Sequence, residues 1–174
     1  MTPFTPKQIR LTVSISGKGN LAGPTSYAVL LSYGEHEKKL EGGFKSSLPT
    51  RAALHGIVAG LRALKSSCEV TVVVQNELIV NAFEKGWILG WQEDGLLGRK
   101  TTKIKHTDLY AKVLDAMDGH AVVFKQPTTF EDEKAMERCK KAAVAYKKSG
   151  VLVDDVEEFP GETLFNDSAG TKQG

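Results

Sequence analysis

The sequence predicts an α/β fold with a mixed five-stranded sheet flanked by helices. In residues 9–16, apolar and polar side chains alternate with a period of two, as in a half-buried strand. Residues 70–74 form an uninterrupted run of valine and threonine, which is typical of a strand buried on both faces in parallel pairing. Three strand-like segments come first along the chain, and helical and strand-like segments alternate after them. This order indicates a mixed sheet.

The first three strands are predicted at residues 9–16, 27–33 and 38–45. A glycine-rich loop at residues 17–24 separates the first from the second, and the turn at residues 34–36 separates the second from the third. Such short connections favour an antiparallel meander.

Helices and the remaining strands follow from apolar spacing and from capping residues. A helix is predicted to begin after Thr50, whose hydroxyl can cap it, and to present one apolar face: Leu54, Ile57, Val58, Leu61 and Leu64. Residues 70–74 form the fourth strand. Helices are expected at 77–91, with breaks near Gly86 and Gly90, and at 107–117. The fifth strand is expected at 121–124, and a last helix at 132–148 with Gly150 as its C-cap.

Length and charge divide the chain of 174 residues into three parts. We expect an N-terminal extension at 1–8, one domain at 9–150 and a flexible acidic tail at 151–174. The tail holds six acidic residues and one basic residue, a net charge of −5. Because the whole chain carries +2, residues 1–150 carry +7. A basic body favours a polyanionic partner.

The cellular location of the chain and the state of its two cysteines can also be predicted from the sequence. Its longest apolar runs are too short to cross a bilayer, and its first residues have no signal-peptide pattern, so we predict a cytoplasmic protein without membrane contact. Cys68 and Cys139 lack the spacing of a zinc site or of a disulfide framework, and reduced, buried thiols are expected.

Several segments of the chain occur in the order of one known family. They are Gly23-Pro24 with the strand at 27–31, Arg51 with the helix at 54–65, Trp87 and Trp91, Asp108-Leu109-Tyr110, and Glu137-Arg138-Cys139. This succession, from about residue 9 to 150, resembles bacterial type 1 ribonuclease H. The resemblance implies a ribonuclease H-like fold.

The resemblance also implies two Mg²⁺ ions held by three aspartates and one glutamate, and a histidine on a mobile loop. The corresponding positions in this chain carry Ile15, Ala53, Gln75 and Lys140, and the histidine position falls on Phe130. If the register slips, Ser14 or Ser16 replaces Ile15. Since Mg²⁺ requires oxygen ligands, we predict a degenerate family member that binds no metal or other cofactor and is not an enzyme. Carboxylates elsewhere, such as Glu133 and Glu137, leave a relocated site as the alternative.

The family resemblance further implies a basic handle that contacts a nucleic-acid backbone. Aromatic and basic side chains fall at that position: Lys85, Trp87, Trp91, Arg99, Lys100, Lys103 and Lys105. Alternatively, the tryptophans anchor the handle to the core and the basic residues are a solvated surface. Polar residues with which the family grips a hybrid are replaced at Leu21, Leu48 and Pro49.

Two hypotheses about function remain open at this point. In the first, the chain binds the backbone of an RNA/DNA hybrid or a duplex without sequence specificity. In the second, it is a protein–protein interaction or structural module, and the edge of the third strand at 38–45 pairs with a protein partner.

Overall fold

The computed structural model describes residues 6–19 and 21–159. Within them the chain forms five strands and five helices, in the order β1 (Lys7–Ser16), β2 (Gly23–Tyr33), β3 (His36–Ser47), α1 (Pro49–Arg62), β4 (Cys68–Val74), α2 (Glu77–Glu84), α3 (Trp87–Glu93), α4 (Thr107–Ala116), β5 (Ala121–Lys125) and α5 (Phe130–Ser149). None of these described helices is both long and apolar enough to cross a lipid bilayer.

The strands form one sheet in the order β3-β2-β1-β4-β5. β1 lies at its centre, antiparallel to β2 and parallel to β4, so Val13 is opposite Val29 on one side and Val74 on the other. β3 continues the antiparallel half, and β5 continues the parallel half. The prediction of an α/β fold with a mixed five-stranded sheet is therefore confirmed.

The core lies on the face of the sheet that α1 covers. Leu11, Val72 and Leu54 are fully buried there, as the alternation of β1 and the apolar face of α1 predict. Gly56 allows a close approach, because a Cβ atom at this residue would lie 2.6 Å from Cγ2 of Val13. On the opposite face α5 packs against β2, where Ala28 and Cys139 belong to a smaller buried cluster.

Several predicted element ends are wrong by a few residues, each for a local reason. α1 begins at Pro49 with Leu48 as its N-cap, rather than after Thr50, because proline suits the first turn of a helix. The segment at 77–91 is two helices, since Gly86 adopts a left-handed φ of 77°, at one of the two predicted breaks. α5 begins at Phe130, because Thr129 and Asp132 form a reciprocal capping box.

The acidic segment after α5 is packed against the body over residues 151–159. Val153 pairs with β3 in a parallel bridge, accepting a hydrogen bond from the Lys45 amide (2.8 Å) and donating one to the carbonyl of Gly43 (3.1 Å). The expectation of a flexible tail is thus incorrect for these residues, because the backbone of Val153 hydrogen-bonds to the edge of β3. Residues 160–174 lie outside the described residues, as do residues 1–5 of the expected N-terminal extension.

Candidate nucleic-acid interface

A cavity of about 420 Å³ opens at the carboxyl ends of the parallel strands β1 and β4. We call it the β1–β4 cavity. Its walls come from both strands, from the start of α1 and from α5, and include Ile15, Ala53, Gln75, Glu133, Glu137 and Lys140. Ligands of α/β sheets characteristically bind at the carboxyl ends of parallel strands, so its position makes it a candidate site.

The four positions that the family resemblance singles out converge on this cavity. Ile15 and Ala53 are apolar, and Ala53 is buried in the core. Gln75 follows β4 and is exposed. Phe130 does not line the cavity: its side chain is 77% exposed at the start of α5, where the Nζ atom of Lys134 lies 5.3 Å from the ring centroid.

Lys140, an exposed residue, brings a cation to the β1–β4 cavity. Its Nζ donates a hydrogen bond to the backbone carbonyl oxygen of Ile15 at 2.9 Å. Glu133 and Glu137 line the same cavity from the same face of α5, seven and three residues before Lys140.

These side chains do not fit the pair of Mg²⁺ ions that the resemblance implies. Within residues 6–19 and 21–159, His, Cys, Asp and Glu side chains form no group of three or more placed to hold a metal. A divalent hard cation requires several oxygen ligands, and an ammonium group in the cavity repels it. That the chain binds no metal stays a prediction.

A second cavity, of about 450 Å³, lies beside the first and is lined by Trp91; we call it the tryptophan cavity. Pro49 lines both cavities, so they belong to one continuous surface. The indole of Trp91 packs edge-on against Tyr110, with ring centroids 5.3 Å apart. Lys105 and His106 bring polar groups to an otherwise largely apolar wall that includes Leu48.

The two predicted tryptophans have different environments. Trp91 packs against the core and thereby anchors α3, as the alternative interpretation proposed. Trp87 is 39% exposed, with its ring centroid 6.5 Å from that of Trp91. Trp87 is therefore the tryptophan with more surface available for stacking on a sugar or a base.

The predicted basic side chains are all exposed. Lys85 lies between α2 and α3, Lys105 lines the tryptophan cavity, and the segment between α3 and α4 carries the other three: Arg99, Lys100 and Lys103. The segment has no regular structure but is held at its end by Thr107, whose hydroxyl donates to the carbonyl of Arg99 (2.6 Å). The Thr107 carbonyl in turn accepts from the Gly98 amide at 3.3 Å. These bonds hold the two ends of the basic segment together.

A buried ionic network beneath this surface joins α1, α4 and the segment after α5. Arg51 donates two hydrogen bonds of 2.9 Å to Asp108 and one of 2.8 Å from Nε to Asp155. Asp155 also bonds Nε2 of His55 at 2.9 Å and accepts from the hydroxyl of Ser47. Burial alone would raise the pKa of Asp155, but its hydrogen bonds from these three side chains hold that pKa well below the usual range.

Sequence analysis did not find this network, because Arg51 lies 57 and 104 residues from its two carboxylate partners. Arg51 and Asp108 belonged to the resembling segments, but Asp155 was assigned to a loose tail. The network also affects His106, which lines the tryptophan cavity. Burial and the nearby Arg51 guanidinium lower the pKa of His106 to about 4, so its imidazole is neutral at pH 7.

Comparison with known proteins decides the family. No family model matches the chain. The chain is 34% identical over 133 residues to the ribonuclease H of Syntrophus aciditrophicus (strain SB), and the match covers 76% of each protein. This chain belongs to the ribonuclease H family. A ribonuclease H of Thermus thermophilus is 31% identical over 169 residues, which cover 97% of this chain and 100% of that protein.

Solved ribonuclease H structures confirm the fold. LC9-RNase H1, a type 1 RNase H with the type 2 active-site motif, has a TM-score of 0.72 at 20% identity, covering 88% of this chain and 80% of that one. LC11-RNase H1, solved with an RNA/DNA hybrid, has a TM-score of 0.57 at 17% identity and covers 81% and 99%. A foamy viral protease-reverse transcriptase solved with dsDNA has a TM-score of 0.64 at 14% identity and covers 87% and 100%.

The comparisons contradict the prediction that the chain is not an enzyme. Its curated relatives are named ribonuclease H, which points to an enzyme. The prediction took the four substituted positions of this family member as proof of inactivity. That inference is wrong in the light of these relatives. Glu133 and Glu137 do bring two carboxylates to the same cavity.

Proposed function

We propose that this chain binds the backbone of an RNA/DNA hybrid or of duplex nucleic acid across the β1–β4 cavity and the tryptophan cavity, without reading base sequence. The observation that carries the proposal is the continuous surface through Pro49, with Lys105 at one cavity and Lys140 at the other. Exposed ammonium and guanidinium groups suit phosphates, which supply most of the affinity in non-specific binding.

The surroundings of this surface support contact with the backbone rather than with base edges. The basic segment between α3 and α4 is exposed, and Trp87 offers an aromatic face that any sugar or base can meet. The apolar wall at Leu48 and Pro49 adds few groups able to hydrogen-bond to a base. Structural neighbours solved with a hybrid and with dsDNA lend further support.

A salt titration tests the proposal directly. We expect the affinity for a short hybrid and for a duplex to fall steeply with salt and to depend little on sequence. Replacing Lys103 and Lys105 by Ala lowers the slope of log K against log salt by about 2 at most, since each lost phosphate contact removes about 0.9. The control replaces Lys38 and Lys39, exposed on β3, and leaves the slope nearly unchanged. Absence of binding at about 50 mM salt would overturn the proposal.

A second candidate function is cleavage of a hybrid. It is supported by the name of the relatives and by Glu133 and Glu137, two carboxylates one helical turn apart in the β1–β4 cavity. If these groups act in cleavage, E133Q or E137Q abolishes it. The control is E131Q, which removes an exposed carboxylate of α5 outside the cavity. No cleavage by the wild type, or equal cleavage in all variants, rejects this candidate.

A further inference from the structure

The Lys140 ammonium group lies at the carboxyl end of β1, at the edge of the β1–β4 cavity. α5 lies across β1 and β2, and this packing is fixed by contacts such as the Ser26 hydroxyl donating to the carbonyl of Ala143. Lys140 extends from that helix to the carboxyl end of β1, where Nζ meets the carbonyl oxygen of Ile15. An ammonium has three N–H donors, and this contact uses one of them. A positive charge with remaining donors is thereby held at the β1–β4 cavity.

The uncharged residues of the cavity are better suited to an anionic oxygen near Lys140 than to a metal ion. Gln75 and Ser14 supply an uncharged amide and a hydroxyl, which can donate hydrogen bonds. Ile15 and Ala53 form an apolar floor that offers no anionic ligand from its side chains. Lysine is a regular phosphate ligand, acting as a compact point charge.

We infer that Lys140 contacts a backbone phosphate of the bound nucleic acid directly, and that this contact needs no divalent ion. The inference rests on the proposed function and names one contact within it. A direct contact between Lys140 and a phosphate is also consistent with a cavity that does not fit Mg²⁺. A cluster of carboxylates repels a phosphate unless cations lie between them, whereas an ammonium group attracts the phosphate itself.

Glu133 and Glu137 limit where that phosphate can lie. With a rise of 1.5 Å per residue, they are displaced from Lys140 by about 10.5 and 4.5 Å along the axis of α5. Their negative charges oppose a phosphate at their own end of the cavity. The contact is therefore placed at the Ile15 end, and neutralising Glu137 is expected to tighten binding.

The test measures the dissociation constant of a labelled RNA/DNA hybrid for the full chain, in EDTA and in Mg²⁺ at equal ionic strength. We expect K140A to weaken binding about 3- to 10-fold near 50 mM salt and to lower the salt slope by about 1. The control K141A removes the same charge from the adjacent residue, which is exposed like Lys140 but does not line the cavity, and has a smaller effect. E137Q strengthens binding, and the wild type binds equally well with and without Mg²⁺.

The possible outcomes separate this inference from the proposed function. If the wild type binds nucleic acid but K140A and K141A behave alike, the inference is overturned and the proposed function stands. If Mg²⁺ strengthens wild-type binding several-fold at constant ionic strength, a divalent ion mediates the contact and the inference again fails. If the wild type binds no nucleic acid, both fail. Urea unfolding of each variant checks that the substitutions leave the fold intact.

Discussion

Arg51 is the residue on which the buried ionic network depends. Its side chain is 7% exposed, and those of Asp108 and Asp155 are 0% and 3% exposed. Both carboxylates therefore lie away from water and depend on one guanidinium for much of their compensation. Removing one partner from a buried ion pair is costly because the other charge stays buried.

We predict that R51M lowers the free energy of unfolding by about 3–5 kcal/mol, since two buried carboxylates lose their cation. The measurement is urea unfolding at pH 7. R138M is the control: Arg138 also makes two hydrogen bonds to one carboxylate, that of Glu37, but the pair is exposed, so little stability is lost. Equal effects of the two substitutions would show that burial does not determine the contribution of the pair.

His106 links the pH dependence of stability to the tryptophan cavity. Its pKa falls from 6.5 to about 4 on folding, so the folded state disfavours its proton. The stability associated with neutral His106 is complete above about pH 6.5 and decreases as the pH falls toward 4. Its φ of 64° is unusual for a residue other than glycine, and asparagine tolerates that conformation best.

We predict that H106N loses less stability than the wild type between pH 7 and pH 5, because asparagine keeps the backbone conformation but does not titrate. Urea midpoints at the two pH values measure the difference. H36N, which alters an exposed histidine, keeps the wild-type dependence. An unchanged pH dependence in H106N would contradict the assignment.

At the scale of the elements, local patterns predicted the order and type of strands and helices. The alternation of β1 and the valine-rich run of β4 report burial directly, so both were assigned correctly. Helix ends were harder to predict from the sequence, because they depend on side-chain hydrogen bonds such as those of the Thr129 capping box. The docking of residues 151–159 was missed because it depends on contacts more than 100 residues distant in sequence.

The residues of the candidate site could be predicted from the sequence, but their contacts could not. The resemblance placed Ile15, Ala53, Gln75 and Lys140 together, since alignment to a fold transfers spatial proximity. It could not show that the Lys140 ammonium bonds the carbonyl of Ile15, because that depends on how α5 crosses the sheet. It also did not establish inactivity, which the family comparisons contradict.

The contact of α1 with the sheet yields a prediction about packing. In Gly56→Val, the added side chain must displace Val13, whose Cγ2 would lie 2.6 Å from the new Cβ. Overpacking of this kind costs about 1–3 kcal/mol of stability. The matched control is Gly90→Val on α3, where no atom lies within 4 Å of the new Cβ, and we expect a change within about 0.5 kcal/mol. Thermal unfolding of both variants decides the point.

At the scale of the whole molecule, the acidic segment after α5 is not separate from the basic body, contrary to what the sequence indicates, but packs against it. The acidic residues after α5 contact the basic body: Asp154 lies 3.9 Å from Lys45, Asp155 bonds Arg51, and Glu158 pairs with Lys112. Asp108 also accepts a hydrogen bond from the Glu158 backbone amide at 3.3 Å. Residues 151–159 therefore stabilise the fold as well as reducing the positive charge of the body.

These two roles predict opposite effects when the chain is shortened after Gly150. Stability should fall by several kcal/mol, because Arg51, His55 and the β3 edge lose their partners together. Nucleic-acid affinity, measured where the shortened chain is still folded, should rise, because a segment of charge −5 is removed from a body of charge +7. In the full chain, D155A reproduces part of the loss of stability, whereas D154A, at an exposed neighbour, does not. A shortened chain as stable as the full one would mean that residues 151–159 are not part of the folded domain.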